Sequence, residues 1–168
     1  MKLRVPAGVV VFGGVLLVLA APAGARRSDA EWIERVDTYN HEMIELSRIV
    51  KQRTQSLEMH ELAARMITDH GRARRELLDL APSPPTGGLS ASGITTLKRF
   101  SRLAGTRLDQ EFLRYVVGEY RRGLALYRRI SREANNPRLR KHAQEAVPLL
   151  EANRRRASEL ALQAMREK

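Results

Sequence analysis

Asp69 and His70 stand side by side at the end of Glu-Leu-Ala-Ala-Arg-Met-Ile-Thr-Asp-His, residues 61–70. A carboxylate beside an imidazole suits two kinds of chemistry: holding a divalent metal, or moving a proton. Glu42 and Glu119 are further carboxylates on or near apolar stripes elsewhere in the chain. Gathered at one point, Glu42, Asp69, His70 and Glu119 would be oxygen and nitrogen ligands for iron, manganese or zinc. There is no cysteine, which excludes thiolate sites and disulfides. There is no Gly-x-Ser-x-Gly, and no second histidine stands near a serine in a way that suggests a nucleophile. No catalytic residue is assigned. His41, His60 and His142 read as helix-surface residues.

These polar groups also have a purely structural reading. Asp69, His70, Tyr120 and Asn153 would form a polar seam between helices, and with Glu119 they would pair with arginines inside or at the edge of the core. A set of one histidine and three scattered carboxylates is a short ligand inventory, so this reading is preferred. No cofactor is expected; iron, manganese or zinc is the alternative.

The elements that must carry these residues are helices. Ser28-Asp29-Ala30-Glu31 reads as a capping box, and Trp32, Val36, Tyr39, Met43, Leu46 and Val50 then alternate steps of four and three. The spacing predicts a first helix over 29–53. Ser56 caps a second, which runs to about Leu80 on a stripe of Leu62, Met66, Asp69, Ala73 and Leu77. Residues 81–93, rich in proline and glycine, predict a crossover linker, followed by a short helix over 94–103. Thr106 to Asp109 reads as a second capping box. The next stripe is Leu108, Phe112, Tyr115, Val116, Glu119, Gly123, Leu126 and Ile130. Asn136-Pro137 starts the last helix, with Leu139, Ala143, Ala146, Leu150, Asn153, Ala157 and Leu160 on its face and Pro148 within it. Two helical hairpins joined by one long crossover make an antiparallel four-helix bundle, all-α.

Lys2 and Arg4, the apolar run Val9 to Ala21, and Ala23-Gly24-Ala25 together read as a secretory signal peptide over residues 1–25. The bundle domain is then 26–168. No later stretch is apolar enough to predict a transmembrane segment. The chain carries a net charge of +11, of which the leader holds two positive charges, leaving about +9. A basic exported protein is expected to lie against anionic envelope components, such as anionic lipid or lipopolysaccharide, or an envelope protein, and not against nucleic acid. Arg128, Arg129, Arg132, Arg138 and Arg140 bracket one bundle end and are the anion-binding candidates.

Asn40-His41-Glu42-Met43-Ile44, then Leu62-Ala63 through Met66-Ile67-Thr68-Asp69-His70, resemble the bacterial family known as domain of unknown function 4142. Gly105-Thr106-Arg107-Leu108-Asp109 with Phe112-Leu113, and Val147-Pro148 with Leu150, are similar to its later segments. The resemblance implies an exported protein with a ferritin-like bundle, periplasmic, with peripheral outer-membrane association. Family members commonly carry a histidine where this chain has Tyr120 and another where it has Asn153. Di-iron bundles use Glu-x-x-His pairs, and this chain has none. The expected function is therefore that of a non-enzymatic envelope protein binding an anionic component or a protein partner. The alternative is a ferritin-like metal-binding or oxidoreductase protein with a degenerate carboxylate and histidine site.

Overall fold

The computed structural model describes residues 27–86 and 88–166. The expected signal peptide lies outside the described residues. Among the described residues, four long helices and one short one form: α1 (Asp29–Arg53), α2 (Leu57–Leu78), α3 (Ala91–Phe100), α4 (Gly105–Glu133) and α5 (Pro137–Arg166). α1 packs mainly on α2 and α4 mainly on α5, and the two hairpins meet along α2–α5 and α1–α4. The result is the all-α four-helix bundle of two hairpins, with α3 laid against α1.

Local chemistry sets most of the helix starts. At α1 the Ser28 hydroxyl accepts from the Glu31 amide at 3.2 Å while the Ser28 amide donates back to the Glu31 carboxylate at 2.7 Å, a complete capping box. Ser56 caps α2 through the Met59 amide. Asn136 accepts from the Arg138 amide at 2.9 Å, and Pro137 follows it as the first residue of α5, where a missing N–H costs nothing.

Two boundaries depart from expectation. α3 begins inside the Gly/Ser-rich linker at Ala91, because its cap Ser90 is itself held by a distant carboxylate. Glu42 Oε1 accepts from the Ser90 amide at 3.0 Å and from its hydroxyl at 2.6 Å. An anion at a helix N-terminus is stabilising, and here it comes from α1, out of reach of a local reading. The second capping box does not form. α4 starts two residues earlier, at Gly105, behind Ala104 with no side-chain cap, and Asp109 turns to Thr54 instead.

The core runs the length of the bundle, from Trp32, Val36 and Ile130 through Met66 and Val116 to Leu62, Phe112 and Leu160. Most of both predicted stripes on α2 and α4 is buried, but single positions move to the neighbouring residue. On α2 it is His70 that is buried between Met66 and Ala73, with Asp69 half-buried at the edge. On α4 the buried line takes Tyr120 and Tyr127, leaving Glu119, Tyr115 and Leu126 at its margins. A step of four then three and a step of three then four both close one heptad, so the pattern alone does not choose between neighbours.

Candidate functional site

The bundle's polar centre is a chain of hydrogen bonds that crosses all four long helices. Asn40 on α1 donates through Nδ2 to the Tyr127 hydroxyl of α4 at 2.8 Å. That leaves Asn40 Oδ1 as an acceptor, 2.8 Å from His70 Nδ1 of α2, so the ring proton sits on Nδ1. His70 Nε2 then carries the bare lone pair and accepts from the Tyr120 hydroxyl of α4, 3.3 Å away. The Tyr120 oxygen in turn takes a hydrogen bond from Asn153 of α5. Asn153 Nδ2 also donates to Asp69 Oδ2 at 2.9 Å. Asn40, His70, Tyr120, Tyr127 and Asn153 are all buried.

Electrostatics agree with this assignment. Burial pushes His70 down to about 4, against a smaller upward pull from Asp69, so the ring is neutral at neutral pH. Burial pushes the Tyr120 and Tyr127 phenols up, and they stay protonated. His70 is stacked on Tyr120 at 5.8 Å and met edge-on by Tyr39 at 5.6 Å. Both ring nitrogens are engaged, one as donor and one as acceptor. The lone pair that a metal or a substrate proton would need is already taken by Tyr120.

The other sequence candidates go separate ways. Glu42 caps α3 and Glu119 pairs with Arg122 at 3.2 Å. Both line a small cavity of about 10 Å³ together with Tyr39, Met43 and Tyr115, apart from the His70 chain. Asp69 faces Asn153. Among the described residues no three His, Asp or Glu side chains lie close enough to hold one metal ion. A di-iron centre does not fit these residues, since each donor already serves an internal bond.

The expected arginine partners are a second correction. Only Glu119 among the seam residues pairs with an arginine; Asp69, His70, Tyr120 and Asn153 pair with amides, phenols and each other. The buried carboxylate that does meet an arginine is Asp37, held by Arg74 Nε at 2.6 Å and Nη2 at 3.4 Å. Asp37, Asn40 and Ser47 were not singled out from the sequence. Their signal was present: Ile33, Asp37, Asn40, Ile44 and Ser47 repeat the four-three step one residue behind the apolar stripe, and all are buried.

His142 is a third correction. It is buried, not on the surface, 6.2 Å from the Tyr127 ring. Its Nδ1 lies 3.8 Å from Glu76 Oε2 of α2, and its Nε2 has no hydrogen-bond partner. Burial pushes its pKa down, opposed by Glu76 and Glu145.

Of the anion-binding candidates, three are committed within the fold. Arg128 bonds Glu151 at 2.6 Å, Arg129 bonds both Glu133 oxygens, and Arg140 donates to the Ala134 and Asn135 carbonyls. The same turn is clasped by Asp29, which accepts from the Asn135 and Asn136 amides at 2.8 Å each. Arg132 and Arg138 are exposed.

A family model described as a domain of unknown function, DUF4142, matches residues 17–160. No curated protein matches the chain. CopM in its Cu(II)-bound form has a similar structure, with a TM-score of 0.69 at 16% identity over 83% of this chain and 99% of that one. A DUF305 protein from Streptomyces coelicolor, named as secreted, is similar with a TM-score of 0.68 at 19% identity over 83% of this chain and 94% of that one. At these identities the likeness shows the helical-bundle fold.

Proposed function

The chain belongs to the DUF4142 family, and from that premise we propose that it is an exported, non-enzymatic helical-bundle protein that binds an anionic component of the cell envelope. One observation carries the reading. The fold draws carboxylates inward or into caps: Asp37 to Arg74, Glu42 to Ser90, Asp69 to Asn153, Asp29 to the α4–α5 turn. In a domain that carries about +9 once the leader's two positive charges are set aside, these carboxylates are engaged within the fold, which favours a positive surface. The leader-like sequence of residues 1–25 and the secreted DUF305 neighbour support export to the periplasm. No described helix is long and apolar enough to cross a membrane, which fits peripheral contact.

The test is binding to phosphatidylglycerol vesicles against phosphatidylcholine vesicles across a salt series. The expected result is a preference for the anionic vesicles that fades as the Debye length shrinks from about 30 Å at 0.01 M to about 8 Å at 0.15 M. Equal binding to both, or none at low salt, removes the lipid version and leaves an acidic protein partner as the remaining anionic component.

A metal-binding reading has a narrower support: the CopM neighbour is Cu(II)-bound, and His142 with Glu76 is an imidazole–carboxylate pair facing a cleft of about 280 Å³. Titration of untagged protein with Cu(II) or Zn(II) checks it. Stoichiometric uptake lost in His142→Ala supports this second reading; trace uptake, unchanged in that variant, removes it.

A further inference from the structure

Three of the large apolar side chains that the described residues leave exposed gather at one end of the bundle. Leu57 is 68% exposed at the start of α2, and Leu162 and Met165 are 52% and 64% exposed in the last turns of α5. This is the end opposite the Asp29-clasped turn, because α1 and α4 each run the length of the bundle between the two. A groove of about 450 Å³ opens there, lined by Leu113, Ala161, Ala164 and Met165 with Gln110 and Arg114. A second, of about 300 Å³, continues it past Met59 and Leu160. Around the rim stand exposed cations: Lys51 and Arg53 at the end of α1, Arg102 before α4, Arg107 in its first turn and Arg166 at the end of α5. Arg53 donates to the Leu103 carbonyl and Arg107 to Glu111, so the cations open to a ligand are Lys51, Arg102 and Arg166. The other opposing carboxylates are exposed Glu58, bonded to Ser56, and half-buried Asp109, bonded to Thr54.

We infer that this end of the bundle docks on an anionic lipid bilayer, with Leu57, Leu162 and Met165 entering the headgroup region while Lys51, Arg102 and Arg166 meet lipid phosphates. The inference rests on the reading that the protein binds an anionic envelope component, and it names which component and which surface. Charge decides among the occupants. A second copy docked end to end would bring the same cations face to face, and like charges across an interface are repulsive. Three side chains also expose far less than the roughly 800 Å² that each partner gives to a stable protein interface. A bilayer has no such size requirement. It takes shallow apolar anchors and cations together, and neither signal alone holds a protein firmly. The arginines at the other end lack apolar neighbours of this kind, and three of them are bound within the fold.

The probe is sedimentation of residues 26–168, which hold all five helices and the whole core, with phosphatidylglycerol or phosphatidylcholine vesicles. The triple variant Leu57→Gln, Leu162→Gln, Met165→Gln is compared with Ile94→Gln, which removes the other exposed large apolar side chain of the described residues, on α3. Circular dichroism confirms that each variant is folded. The expected result is an anionic preference that falls at least about tenfold in the triple variant, about 1.4 kcal/mol, and stays unchanged in Ile94→Gln. Because the chain has no cysteine, Met165→Cys and Arg138→Cys each accept one polarity-sensitive dye, and only the dye at 165 should blue-shift on vesicles. A triple variant that keeps its anionic preference overturns the docking end while leaving the anionic-binding function standing. Loss of all preference in the wild-type protein overturns both. A wild-type dimer by ultracentrifugation that the triple variant breaks replaces the bilayer with a second copy.

Discussion

His70 is neutral in the folded bundle because burial disfavours its charged form, and both ring nitrogens meet neutral partners. Its ordinary value is 6.5 and burial takes it to about 4. Between those values an unfolded chain binds a proton that the folded chain does not, so stability is full above 6.5 and falls as the pH drops toward 4. The loss attributable to this residue approaches about 3 kcal/mol and stops growing below the folded value. His142 acts in the same direction, since burial depresses it too. Denaturant unfolding measured from pH 7 to pH 4 checks this. His70→Phe should flatten part of the slope. At pH 7 the same variant should be less stable by about 2–4 kcal/mol, because Asn40 Oδ1 loses its donor and the Tyr120 O–H loses its acceptor. The residue identities of this chain were partly legible in the sequence. Asp69-His70 drew attention correctly, but helical period cannot say which of two adjacent residues turns inward. Asn40, which fixes the tautomer of the ring, sits thirty positions away; the four-three step marks it as buried but does not name His70 as its partner.

At the scale of elements more is legible. The sequence predicts α1 to the residue, because its capping box, its stripe and its stop are all local. It does not predict the start of α3, whose cap depends on Glu42 from another helix. The same tertiary closeness appears where α1 meets α4. A Cβ built on Gly123 would lie 2.3 Å from the Tyr39 hydroxyl and 2.5 Å from its ring, and that ring is fixed edge-on to both His70 and Tyr127. Five residues earlier on α4, a Cβ on Gly118 would meet only the tip of Arg122, at 3.9 Å. Two like substitutions on one helix should therefore have opposite signs. Gly118→Ala gains helix propensity and should stabilise by about 0.5–1 kcal/mol. Gly123→Ala gains the same propensity but overpacks a rigid contact, and should destabilise by a net of about 1–2 kcal/mol. Thermal melts of the two single variants decide it. If Gly123→Ala is as stable as Gly118→Ala, the α1–α4 spacing is looser than described.

Over the whole molecule, charge acts on stability and on binding in opposite senses. The surface ion pairs are mostly within one helix, such as Arg129 with Glu133 and Lys141 with Glu145, and pairs of this kind contribute little singly. The net positive charge is a larger effect, because folding concentrates it and unfolding spreads it out. Salt screens that self-repulsion in the folded state more than it weakens the short pairs. The melting temperature at pH 7 should therefore rise by a few degrees as salt goes from about 0.01 M to about 0.15 M. Attraction to an anionic surface is screened by the same ions, so vesicle binding should fall over that series. Stability rising while binding falls is hard to produce by unfolding, and it separates an electrostatic partner from a merely sticky protein. If the melting temperature falls together with binding, the local pairs outweigh the net charge, and loss of binding with salt would no longer identify an anionic partner.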